Sequence, residues 1–193
     1  MRARRTAALL LVASLAVAAP AAARHHHPRR TVFHLGDSLA VGTQWYLPGA
    51  LHHWRIRHRT SISMQAGAGP GILRSYGRGL PRVIVVSLGT NGSPGATGYF
   101  RHAIRSTMRV VGHRRCVVWA NIWRPAVGGV SYHRLNGVLA REAHKRRNLR
   151  IFQWVRMARR HRGWFGSDGV HPVGVGYRAR ARGIAKVVRR CHS

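Results

Sequence analysis

Short apolar runs separated by longer amphipathic stretches constrain the fold of this chain more than any other feature. Thr31-Leu35 (TVFHL), Arg82-Leu88 (RVIVVSL), Cys116-Ile122 (CVVWANI) and Leu149-Trp154 (LRIFQW) are brief and rich in β-branched and aromatic residues. A weaker run, Trp54-Ser63, fits a second strand in sequence order. Between and after these runs, four segments carry helical patterning: Leu39 to His53, Tyr99 to Gly112, Tyr132 to Arg147 and Val175 to Arg190. The last sets Tyr177, Ile184, Val187 and Val188 on one face and arginines on the other. Near-continuous apolar strands alternating with helices predict a sheet covered on both faces. The expected fold class is α/β: a three-layer α/β/α sandwich with a central, mostly parallel five-stranded sheet. Ligands of such sheets bind beyond the carboxyl ends of the strands.

The 193 residues suit one domain, and no internal repeat is visible. Arg2, Arg4 and Arg5 precede an apolar run from Thr6 to Ala19, followed by Pro20-Ala21-Ala22-Ala23. That order predicts a secretory signal peptide over 1–23, on a run too short for a comfortable membrane span. Residues 24–30 (RHHHPRR) read as a basic His/Arg-rich tail, and 31–193 as the folded domain. The three tail histidines have no acidic or cysteine neighbours to complete a site, so no metal is expected, nor any cofactor.

Thirty-four Lys and Arg face three Asp and Glu, a formal charge of +31. A coding bias towards arginine accounts for the composition as well as selection does, but the electrostatic consequence is the same. Such a surface associates with polyanions: outside a cell, anionic wall polymers or lipid headgroups. Nothing in the chain marks a specific nucleic-acid reader. Cys116 and Cys191 permit one disulfide in an exported protein, or stand as two buried thiols; sequence leaves both open.

Three loops fall where strands end. The first strand runs into Gly36-Asp37-Ser38, the third into Gly89-Thr90-Asn91-Gly92, and the loop before the last helix reads Asp168-Gly169-Val170-His171-Pro172. Between the first two lies a glycine-rich turn, Gly67-Ala68-Gly69-Pro70-Gly71. Ser38, where a strand hands over to a helix, has an exposed hydroxyl and an outward N–H in this reading. A serine hydroxyl needs a neighbouring base to act as a nucleophile. His171 supplies one, and Asp168 orients its imidazole. Asn91 and a glycine N–H are suited to holding an oxyanion. The chain's only acids are Asp37, Glu142 and Asp168, and two of the three fall in these loops.

On these residues the sequence resembles the SGNH (GDSL-type) hydrolases, a family of esterases, lipases and carbohydrate deacetylases. The resemblance implies a flavodoxin-like three-layer fold and ester hydrolysis through an acyl-enzyme. It places the nucleophile at Ser38 in Gly36-Asp37-Ser38-Leu39, and the base and its partner at His171 and Asp168. It also implies an oxyanion hole from Ser38, Gly67 and Asn91, with Asp37 and Gly89 as supports and Gly69 as the rival of Gly67. Gly92 stands where the third block often has Asp, a version that resembles extracellular domains of cell-envelope O-acetylation systems. The implied substrate is an ester, with O-acylated carbohydrate the attractive choice. A transferase using the same triad and a non-catalytic polyanion-binding protein are the alternatives.

Trp119, Asn121 and Trp123 close the fourth strand as pocket residues or as packing, and His34 reads as a core histidine. Arg55, Arg57 and Arg124 are candidates for holding an anionic substrate.

Overall fold

Five short strands form a wholly parallel sheet in a computed structural model, which describes residues 30–92 and 96–192. The strands are β1 (Thr31–Gly36), β2 (Arg55–Thr60), β3 (Val83–Ser87), β4 (Cys116–Ala120) and β5 (Leu149–Phe152), in the order β2-β1-β3-β4-β5. The expected mostly parallel sheet is therefore parallel throughout. β1 pairs with β2 on one side and β3 on the other, with Gly36 opposite both Thr60 and Ser87. The order of connection reverses between β1 and β3, and such a point opens a crevice at the strands' carboxyl ends. The expected signal peptide and all but the last residue of the expected tail lie outside the described residues. That last residue, Arg30, lies over the Trp54 ring, and its carbonyl accepts from the Arg55 N–H.

The helices are α1 (Ser38–Gln44), α2 (Leu47–Ala50), α3 (Ala68–Tyr76), α4 (Ala96–Val111), α5 (Tyr132–His144), α6 (Trp154–Arg160) and α7 (Gly174–Arg189). Alternate strand residues point to opposite faces. Phe33, Leu35, Ile84, Val86, Val117 and Trp119 pack with α3, α4 and α5, while Val32, Val85, Val118 and Ala120 pack with α2, α6 and α7. β2 differs because it is an edge: Arg55, Arg57 and Arg59 are exposed and alternate with half-buried Ile56, His58 and Thr60. Charged residues on such an edge discourage strand addition by another chain. Arg57 donates to the Gly79 carbonyl and lies over Tyr76, so it braces the edge.

Three elements depart from expectation. The segment 39–53 is two helices, since Pro48 enters the first turn of α2 and cannot continue a helix begun upstream. The glycine-rich turn is the start of α3, whose first turn tolerates Pro70 because the N–H that proline lacks has no intrahelical partner there. The last strand stops at Phe152, and Trp154 begins α6.

Cys116 and Cys191 are bonded, with Cα atoms 5.8 Å apart and a sequence separation of 75. The bridge ties the start of β4 to the turn after α7. Closing a loop of that length stabilises the fold by about 4 kcal/mol in the chain-entropy view.

Candidate active site

The crevice at the carboxyl ends of β1 and β3 receives all three loops. Gly36 ends β1 where any side chain would strike the Ser87 carbonyl and Ala40, so only glycine lets the chain turn so tightly. Asp37 follows, fully buried, with its N–H donating to the Ser87 carbonyl at 2.9 Å. Its Oδ1 accepts from the Leu39 N–H at 3.1 Å and caps α1. Burial raises the Asp37 pKa, against the opposing pull of Arg180, the Leu39 N–H and Thr90. Arg180, on α7, is also buried; it donates to Ser87 Oγ at 3.0 Å and lies over the Phe152 and Trp154 rings. Its own pKa is lowered to about 10 by burial, with Asp37 pulling the other way. Beside it His34 is a core histidine, its Nδ1 3.3 Å from His58 Nδ1.

This floor presents Ser38 as the first residue of α1. Ser38 Oγ is 2.7 Å from His171 Nε2, and His171 Nδ1 is 2.6 Å from Asp168 Oδ2. With the Nδ1 proton directed at Asp168, Nε2 is free to accept from the serine hydroxyl. The second oxygen of Asp168 accepts from the backbone N–H groups of Val170 and His171 at 2.9 and 3.0 Å. Asp168 thus holds the loop and the imidazole at once, which its position three residues before His171 allows. The His171 side chain, helped by those two N–H groups, lowers the Asp168 pKa to about 2.

The loop has further ties that sequence alone did not reveal. Gly166 N–H donates to the His171 carbonyl, Val173 N–H to the Trp164 carbonyl, and Trp123 Nε1–H to the Gly169 carbonyl at 3.1 Å. Trp123 is therefore both a loop support and a cavity wall. Trp119 is core, its indole N–H donating to the Leu88 carbonyl. Asn121 bonds Gln153 and the Val155 N–H, fixing the start of α6.

Gly89, two residues beyond β3, has φ +114°, and a side chain there would meet Ile122 and Phe100. Asn91 lies beyond it, and one of its amide hydrogens reaches the Met64 carbonyl at 3.1 Å. Asn91 thereby draws the 64–67 segment alongside. Gly67 and Gly69 are now distinguished. Gly67 is exposed, its N–H donating to the Tyr99 hydroxyl at 2.9 Å, whereas Gly69 is buried and its N–H is taken by the Ala66 carbonyl. A small recess of about 10 Å³ lies between Ala66, Gly89, Asn91, Tyr99 and Phe100, enough for roughly one water-sized group.

No protein-family model matches the chain, and no curated protein resembles it in sequence. Solved structures do resemble it in shape. The C-terminal catalytic domain of peptidoglycan O-acetyltransferase A from Streptococcus pneumoniae superposes with a TM-score of 0.70 at 18% identity, covering 84% of this chain and 94% of that one. A GDSL-like lipase from Bacteroides thetaiotaomicron gives 0.70 at 16% identity, covering 84% and 89%. A family 3 carbohydrate esterase from Clostridium thermocellum gives 0.60 at 15%, covering 83% and 93%. This is the SGNH hydrolase fold. Within the SGNH fold, the β1–α1 turn, the end of β3 and the loop before the last helix gather the side chains just described at one end of the sheet.

Proposed function

We propose that this chain is an exported serine ester hydrolase that removes small acyl groups, acetyl foremost, from an O-acylated carbohydrate. The observation that carries the reading is the unbroken hydrogen-bonded chain from Ser38 Oγ through His171 to Asp168 Oδ2. In the first step Ser38 Oγ attacks the ester carbonyl carbon while His171 Nε2 takes the hydroxyl proton. The carbonyl oxygen becomes an oxyanion, held by the Ser38 N–H, the second Asn91 amide hydrogen and the Gly67 N–H once it turns from Tyr99. Collapse breaks the bond to the alcohol, which leaves with the proton from His171, and the acyl group remains on Ser38. A water then gives its proton to His171 and attacks the acyl carbon. Collapse of the second intermediate returns that proton to Ser38 Oγ and frees the acid.

The recess beside Gly89 and Asn91 favours a short acyl group. A larger cavity next to the His171 loop, walled by arginine and aromatic residues, favours a polar alcohol over a lipid tail. Export rests on the leader at 1–23, and the formal charge of +28 that remains without the leader's three arginines favours retention on anionic wall polymers or lipid headgroups. Ser38→Ala is expected to lower hydrolysis of p-nitrophenyl acetate by the mature protein on the order of 10⁴-fold or more; unchanged turnover overturns the proposal.

The likeness to an O-acetyltransferase domain favours a second reading, acetyl transfer from acyl-Ser38 to a sugar hydroxyl. Turnover beside an added oligosaccharide acceptor separates the two, since transfer yields acetylated sugar and hydrolysis yields free acetate.

A further inference from the structure

A cavity of about 510 Å³, within the size range of small-ligand sites, opens behind the loop that carries His171. Gly166, Ser167 and Gly169 of that loop form one wall, and Trp123, Arg124 and Tyr132 another. Phe165 and Arg162 complete it. The cavity adjoins the proposed active site through two contacts. Trp123 bonds the Gly169 carbonyl, and Arg124 Nη2 lies against Gly92, next to Asn91.

The walls combine two chemistries. Trp123, Tyr132 and Phe165 form a connected aromatic cluster, with Trp123 ring centroids 5.1 Å from Tyr132 and 6.1 Å from Phe165. Aromatic faces of this kind suit the C–H face of a sugar ring. The charge is wholly positive. Arg162 is exposed, with its guanidinium 4.7 Å from the Trp123 ring. Arg124 is only 3% exposed, and burial lowers its pKa. Arg124 Nη1 donates to the Pro125 carbonyl at 2.8 Å and to the Val130 carbonyl at 3.4 Å, while Nε and Nη2 are shut off from solvent with no hydrogen-bond partner among the described residues.

No acid of the chain balances Arg124. Asp37 lies under the β1–α1 turn beside Arg180, Glu142 is paired with Arg105 and Arg146, and Asp168 is engaged by His171. A desolvated, uncompensated charge in a low-dielectric wall projects a strong positive potential into the adjoining space. Arg162, reachable from solvent, adds a direct contact at the mouth.

We propose that this cavity is a subsite for a sugar ring bearing an anionic group, a carboxylate or a phosphate, and so gives the ester hydrolase proposed above a preference for acidic saccharides. The ring lies on the Trp123 and Tyr132 side, Arg162 meets the anion at the entrance, and Arg124, in the wall, draws it inward by charge. The proposal deepens the reading of the chain as an esterase, but its test does not depend on turnover.

The test uses Ser38→Ala mature protein and free sugars: D-glucuronate, D-glucose 6-phosphate and neutral methyl glucoside. Binding is followed by NMR on the Arg124 Nε–H and Trp123 Nε1–H signals. Both anionic sugars are expected to bind at least tenfold more tightly than the neutral one and to shift both signals. The tighter of the two tells carboxylate from phosphate. Arg124→Met in the same background should erase the preference, and a methionine of similar length is a tolerated replacement for a buried arginine. If that variant does not fold, Arg162→Gln, at the surface, should weaken the anionic sugars alone by about threefold or more. Equal binding of all three sugars, anion binding that leaves the Arg124 signal unmoved, or an undiminished preference in either folded variant overturns the proposal.

Discussion

Ser38 and His171 meet across 2.7 Å, yet the segments carrying them are held in opposite ways. The β1–α1 turn is buried: Asp37 is sealed beneath it, and Arg180 from α7 is buried beside it, bonded to Ser87. The 165–172 loop lies at the surface, where Asp168 is about half exposed and three ordinary hydrogen bonds stand in for packing. Burial raises the Asp37 pKa, while hydrogen bonds depress that of Asp168 to about 2. The floor therefore draws its rigidity from the core and shares the core's stability. The rim draws its order from hydrogen bonds, those of the Asp168 carboxylate foremost, with the Trp123–Gly169, Gly166–His171 and Val173–Trp164 bonds beside them.

This contrast breaks most sharply at Asp168. Asp168→Asn is expected to cost about 10⁴-fold in kcat with little change in melting temperature, because the amide favours the wrong imidazole tautomer. Steady-state kinetics beside a thermal melt checks both halves. The carboxyl's depressed pKa also fixes a sign. Its support for the loop is complete above the ordinary carboxylate pKa and fades as pH falls towards about 2, which a carbon-13 carboxyl titration would follow. The floor should behave inversely. Asp37→Asn removes the buried charge that faces Arg180 while keeping an acceptor for the cap, so it should lower unfolding stability by about 3 kcal/mol in a denaturant titration. A melt unchanged from the parent would erase the distinction between floor and rim.

A smaller effect sharpens the same picture. His34 is held neutral well below its ordinary pKa by burial, then by His58 and Arg180. As pH drops below about 6.5 the unfolded chain takes up a proton that the native chain does not, so stability falls by up to about 1.4 kcal/mol per pH unit for this one site. His34→Leu should flatten that slope between pH 6.5 and 5, measured by urea unfolding. At the rim, Trp123→Phe keeps an aromatic ring but removes the bond to the Gly169 carbonyl and part of the surface that meets Arg162, Tyr132 and Phe165. About one kcal/mol of loop support goes with it, a severalfold loss in kcat with the melt unmoved.

Buried strands were plain in the sequence because a parallel sheet covered on both sides asks for apolar residues at every position, as in Val83–Ser87. The edge strand β2 was faint since only alternate residues face inward. Helix α3 was hidden by its own composition. Gly69 is there for close packing, as a side chain at that position would crowd Leu88, yet Gly-Pro-Gly is also the vocabulary of a turn. Ser38 could be picked out because a short turn after a strand displays it, and Asp168 and His171 because the loop before the last helix carries both within four residues. Arg180 under Ser87, Trp123 on Gly169 and Tyr99 on Gly67 could not be read, because their partners lie 93, 46 and 32 residues away. Contacts at that range leave no local pattern.

The Cys116–Cys191 bond makes a covalent ring of everything between those two residues. Inside the ring lie β4, β5, the arginine-walled cavity, and both Asp168 and His171; Ser38 lies outside it. A protease that nicks the exposed rim loop would open the ring without releasing a fragment, since both cut ends stay attached through sulfur. The clipped protein would travel as one piece on a non-reducing gel and as two after reduction. The stretch of chain that carries Asp168 and His171 is thus one that a single cut cannot detach.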